Sequence, residues 1–174
     1  MKLIVLRGAS GAGKSTVARA LRARLGSGIA LVEQDYVGRV VLGRSLTDDG
    51  TNASLLDALV RAALPVAPAV LLEGILSTEH YGDVLLGLRA TPGLESWFYR
   101  FDVPFEVTVE RHARRGKAGS FGETELRRWW RAADPLVDAD GRVLDRSITA
   151  AETVEAVVER IIADTGLTAG TDPL

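Results

Sequence analysis

Cysteine is missing from all 174 residues, which excludes disulfide staples and thiolate metal sites and suits a reducing, cytoplasmic setting. An excess of one charge is missing too. With 21 Lys and Arg against 23 Asp and Glu, the formal net charge is -2, and long nucleic acid is a disfavoured partner because no broad positive field exists to hold its backbone. Long hydrophobic runs are also lacking. The apolar start at residues 3–6 (LIVL) falls well short of a signal-peptide core, and no later run reaches the length of a membrane span, so no membrane partner is expected. Internal repeats and low-complexity stretches are absent.

What is there is 47% hydrophobic and 25% charged, in a length that allows one well-buried core but is short for two. The expected domain covers residues 1–164, as a monomer or homodimer. Residues 165–174 (TGLTAGTDPL) carry no apolar periodicity and are expected as a loose tail. Apolar runs predict strands at residues 3–6, 29–32, 69–72 and 97–103, with a short fifth strand at 142–144. Helical spacing predicts helices over residues 14–25, 53–64, 81–89, 104–115 and 123–133. Residues 37–52 read as a short helix followed by a loop, and Thr149 with Glu152 reads as the capping box of a last helix reaching about Ala163. Strands alternating with helices predict an α/β fold whose parallel sheet is covered on both faces. Right-handed crossovers then bring the βα loops, and any ligand, to one edge of the sheet.

The segment from Gly8 to Thr16 reads GASGAGKST and satisfies G-x-x-x-x-G-K-[ST] at Gly8, Gly13, Lys14 and Ser15, directly between the first strand and the first helix. Each position has a physical task. Glycines let backbone N–H groups turn inward around a phosphate chain, the helix N-terminus adds positive dipole, Lys14 reaches the β and γ phosphates, and Ser15 ligates Mg²⁺. The expected cradle is Gly8, Ala9, Ser10, Gly11, Ala12, Gly13, Lys14, Ser15 and Thr16, with ATP and Mg²⁺ as cofactors and GTP left open as an alternative. A guanine-reading N-K-x-D motif is absent, and so is an LSGGQ-like signature, which weighs against GTPases and transport ATPases.

Three further segments follow in order: EQDYVGR at residues 33–39, VLLEG at 70–74 and FDVPFEVTVERHARR at 101–115. Together with the glycine-rich loop they resemble the compact P-loop kinases, a group that includes chloramphenicol phosphotransferase, zeta-type toxins, shikimate and gluconate kinases and the kinase domain of phage polynucleotide kinase. The resemblance covers residues 1 to about 163. It implies a P-loop NTPase three-layer sandwich with a five-stranded parallel sheet and a helical lid over about 112–134.

By that resemblance Asp35 is the carboxylate that takes the proton from an attacking hydroxyl, which chemistry also favours beside the phosphate loop. Glu73 stands in the place of the Walker B acid and becomes a candidate for Mg²⁺, with a role as base as its alternative. Arg111 is expected against adenine or phosphates. Arg114 and Arg115, with Lys117 nearby, are the candidate lid arginines that balance charge on the transferring group. Trp129 and Trp130 are adjacent on a predicted helix and cannot both face one core, so one is a candidate wall of the substrate pocket; His80 and Tyr81 are weaker candidates for reaching the acceptor. The implied activity is ATP-dependent transfer of a phosphoryl group to a hydroxyl of a small molecule, be it an antibiotic, a sugar or a nucleoside. The alternatives are a nucleic-acid 5′-hydroxyl kinase and a nucleotide-binding, toxin-like regulator.

Overall fold

A computed structural model describes residues 1–26, 28–44, 50–114 and 122–169. The sheet has five parallel strands in the order β2-β3-β1-β4-β5, formed by β1 (Lys2–Gly8), β2 (Ala30–Glu33), β3 (Val70–Gly74), β4 (Glu95–Asp102) and β5 (Asp145–Thr149). The central β1 is apolar from Leu3 to Leu6 because both its faces are covered there. Leu3 and Val5 point into one core with helices α3 (Ala53–Ala63) and α4 (Thr78–Arg89), whereas Ile4 and Leu6 point into the other with α1 (Lys14–Leu25) and α7 (Val154–Thr165). This gives the three layers of a P-loop NTPase fold. Between β2 and α3 lies α2 (Gln34–Tyr36), continued by a π turn at Val37–Val41; α5 (Phe105–Arg114) and α6 (Glu123–Trp129) follow β4. Among the described residues no helix is long and apolar enough to cross a membrane.

Several boundaries differ from those predicted, each for a local reason. The fifth strand is Asp145–Thr149, not residues 142–144. As an edge strand it buries only Ile148 fully, so it lacks an apolar run that sequence could reveal. Val143 instead forms an antiparallel bridge with Val137 across a turn held by Asp138, whose Oδ1 accepts from the amides of Asp140 at 3.1 Å and Arg142 at 2.9 Å. Thr149 and Glu152 do interact, the Thr149 amide donating to Glu152 Oε1 at 2.7 Å, but this closes the turn before α7. The cap of α7 is Thr153, whose Oγ1 accepts from the Ala156 amide at 3.2 Å. That helix runs to Thr165, which is buried and accepts from Lys2 Nζ through its carbonyl, so this first residue of the expected tail belongs to the fold. Helix α6 stops at Trp129 because Trp130 turns extended, and α4 starts at Thr78, where Asp134 Oδ1 accepts from its amide at 3.0 Å. Of the expected lid, residues 115–121 lie outside the described residues, as do 170–174 of the tail.

Candidate active site

The ends of β1, β3 and β2 place three short segments side by side at one edge of the sheet. From β1 the chain enters the glycine-rich loop. Gly11 has φ 82° and a Cβ there would lie 2.8 Å from the Thr108 carbonyl oxygen, so both conformation and space demand glycine. Gly13, at φ 113°, is the left-handed N-cap from which α1 starts. Lys14 is buried and folds back over the loop to donate to the Ala9 carbonyl at 2.8 Å. The remaining cradle residues, Gly8, Ser10, Ala12, Ser15 and Thr16, occupy the same turn and first helical positions, with Thr16 the exposed one.

From β3 comes Glu73, 3% exposed, which accepts from Ser15 Oγ at 3.0 Å. Burial pushes its carboxyl above the ordinary range; the Lys14 ammonium and the Ser15 hydroxyl oppose the shift, and the carboxylates of Glu33 and Asp35 add to it. Glu33 reaches this group because it is in register with Glu73 on the neighbouring strand. A hydroxyl and a carboxylate make an all-oxygen pair suited to a hard cation such as Mg²⁺, and a bound cation would favour the charged form of Glu73. No group of three or more His, Cys, Asp or Glu among the described residues is arranged to hold a metal by itself. A cation held here therefore needs other oxygens, and substrate phosphates supply them in sites of this kind.

From β2 comes Asp35, which sits on α2 rather than on the strand end. It is half-exposed and pairs with Arg39 at 2.5 Å one turn along. The residue before it, Gln34, is buried and pins the site's two strand ends together: its Oε1 accepts from the Ile75 amide at 2.7 Å and its Nε2 donates to the Tyr81 hydroxyl at 2.8 Å. Tyr81 is thus committed to the core, and His80 lies half-buried on the first turn of α4.

On the other side of the loop a cleft of about 350 Å³ opens between α1, α5 and the β5–α7 turn, walled by Ala12, Phe101, Ile148 and Val157. Arg111 lies at its edge but spends its guanidinium on backbone, donating to the carbonyls of Ala12 at 2.7 Å and Ala150 at 3.3 Å. It clamps the loop and the turn together. Arg114 also borders the cleft; it is exposed and pairs with Glu110 at 2.6 Å. Arg115 and Lys117 lie outside the described residues.

Because α6 ends between them, Trp129 and Trp130 both line one small chamber of about 20 Å³, with Gly8, Ala9, Ser77 and Arg100. The expectation was that one of the pair would wall a pocket; here both do. Trp130 packs edge-on against Phe105, ring centres 6.0 Å apart, and donates its indole N–H to the Val103 carbonyl at 3.1 Å. Gln34 and Arg7 are the buried residues beside the site that sequence reasoning missed. Gln34 had a signal in its place at a strand end beside Asp35; Arg7, inside an apolar strand, had only the oddity of a charge there.

Comparison with other proteins bears on the fold. The AAA domain family matches residues 3–136. No curated protein matches the chain significantly. Among solved structures, a tunicamycin resistance protein of Deinococcus radiodurans superimposes with TM-score 0.64 at 24% identity, covering 98% of this chain and 99% of that one. A gluconokinase of Sinorhizobium meliloti 1021 gives 0.60 at 23% identity, with 95% and 91% covered. The APS kinase of Mycobacterium tuberculosis, solved with AMPPNP and APS, gives 0.63 at 19% identity, with 93% and 95% covered. At these identities the likeness is one of fold. The chain belongs to the AAA domain family and has the fold of the small P-loop kinases.

Proposed function

We propose that the protein transfers the γ-phosphoryl group of ATP to a hydroxyl of a small molecule. The observation that carries this reading is the meeting of Lys14, Ser15 and Glu73 at the phosphate loop with Asp35 one strand away. Phosphoryl transfer needs little more than charge balance and positioning, and these groups supply both. The phosphates lie in the loop, and the apolar cleft beyond Ala12 takes the base, its volume and apolar lining suiting a ring system. Ser15 and Glu73 hold Mg²⁺, which when bound neutralises charge on the phosphate oxygens.

The remaining roles fall to the chain's own side chains. Lys14 exchanges the Ala9 carbonyl for a phosphate oxygen. Asp35 orients the attacking hydroxyl and takes its proton, and Arg39 steadies the carboxylate at 2.5 Å. Arg114, which borders the cleft, balances charge on the transferring group and helps exclude water. Glu73 is the next choice as base.

The test is ATP consumption in the presence of a panel of hydroxylated metabolites and antibiotics, with products read by mass. An acceptor-dependent rise in ADP with a phosphorylated product is expected. Hydrolysis unaffected by every acceptor counts against transfer and in favour of a nucleotide-binding regulator.

A further inference from the structure

Arg7 precedes Gly8 and at first sight belongs with the phosphate-binding cations. Its surroundings say otherwise. The residue is 0% exposed, and all three guanidinium nitrogens are committed to protein acceptors. Nε donates to the Leu76 carbonyl at 3.2 Å; Nη1 donates to the Asp134 carbonyl and to Asp145 Oδ2, both at 2.7 Å; Nη2 donates to Asp134 Oδ2. Asp134 in turn accepts from the Thr78 amide and hydroxyl, and Asp145 from the Leu136 amide at 2.7 Å. One guanidinium therefore joins the strand entering the phosphate loop, the turn after β3, the start of α4, the return from α6 and the edge strand β5.

Buried ion pairs recover little stability beyond what apolar packing would provide, because desolvation offsets the attraction. What this one adds is direction: a planar fork with fixed acceptors holds one arrangement of the return segment. That segment carries Trp129 and Trp130, which line the chamber against Gly8 and Ala9. We propose that Arg7 is a positioning residue that, through Asp134, couples the phosphate loop to the lid's return, so that a nucleotide seated in the loop is felt at the tryptophans. This rests on the nucleotide reading above, and it adds a role for a cation that touches no phosphate.

The experiment follows tryptophan fluorescence while Mg²⁺ and AMPPNP are added, with calorimetry reporting binding independently. The parent is expected to bind and to change its emission. Asp134→Asn, which keeps an acceptor for Thr78, and Arg7→Lys are expected to bind AMPPNP within about threefold of the parent but to lose about half or more of the emission change. Thr78→Ala, which leaves the ion pair intact, is expected to retain most of it, and the Arg7→Lys, Asp134→Asn double variant to be no worse than either single one. A purely structural role would lower the melting temperature while leaving the emission change per bound nucleotide as in the parent, and that result overturns the proposal. Binding without any emission change in the parent overturns it as well. If the parent binds no AMPPNP, the nucleotide reading itself fails, which calorimetry shows separately.

Discussion

The proposed nucleotide side and the proposed acceptor side of this site are built by opposite means. On the first, Ala12, Lys14, Val17 and Phe101 are buried, Arg111 clamps the loop through a backbone carbonyl, and the glycines are forced by φ and by close contacts. On the second, α2 and its π turn bury Gln34, Val37 and Gly38 but display Asp35 and Arg39 beside Tyr36, Val40 and Val41, which are 56%, 62% and 58% exposed. A phosphate chain is the same in every nucleotide, so a cradle for it can be preorganised; the surface proposed for the acceptor is left open, and fold alone does not say what it meets.

The largest effect is expected from breaking the rigid side. Lys14→Ala should lower ATP turnover by about a thousandfold, a loss typical of removing a charge-stabilising donor, as measured by ADP release. Asp35→Asn tests the open side and should lower turnover to acceptor by about a hundredfold or more while the calorimetric affinity for AMPPNP stays near that of the parent. If turnover survives, the base must be reassigned to Glu73.

Glu73→Gln separates binding from stability. The apparent affinity for Mg²⁺ in nucleotide binding should fall by about tenfold or more. Burial raises the Glu73 pKa in the fold, so the native state holds that proton more tightly than the unfolded chain. The stability this contributes is full below the ordinary carboxylate range and is lost as pH rises through the raised pKa. Thermal melts should therefore show Glu73→Gln gaining on the parent toward neutral pH, the difference shrinking as pH falls through the carboxylate range. Val40→Asp should raise KM for the acceptor by about tenfold while leaving KM for ATP alone, which sharpens the contrast between the two sides. The smallest effect on stability belongs to Arg114→Ala: its pair with Glu110 is exposed, and the melting curve should move by no more than about 0.5 kcal/mol allows.

The contrast also explains what could be read from sequence. Gly8 to Thr16 was legible because each residue type answers a local demand of phosphate binding, and the central strands were legible because both faces are apolar. The edge strand at Asp145–Thr149 was not, since half-exposed strands need no apolar run. Glu73 could be placed at the end of its strand and Asp35 just beyond the end of β2, but the burial of Glu73 beside Lys14 and Ser15 could not be read, because it joins segments far apart in the chain. The buried partners of Arg7 lie 127 and 138 residues away, a separation over which no local pattern carries information.

The most direct test of phosphoryl transfer follows the label from γ-labelled ATP in the presence of Mg²⁺ and a panel of hydroxylated acceptors. Label on a carbon-bound hydroxyl of one acceptor class, abolished by Lys14→Ala and Asp35→Asn, is the expected result. Label recovered only as inorganic phosphate, whatever acceptor is present, would contradict it.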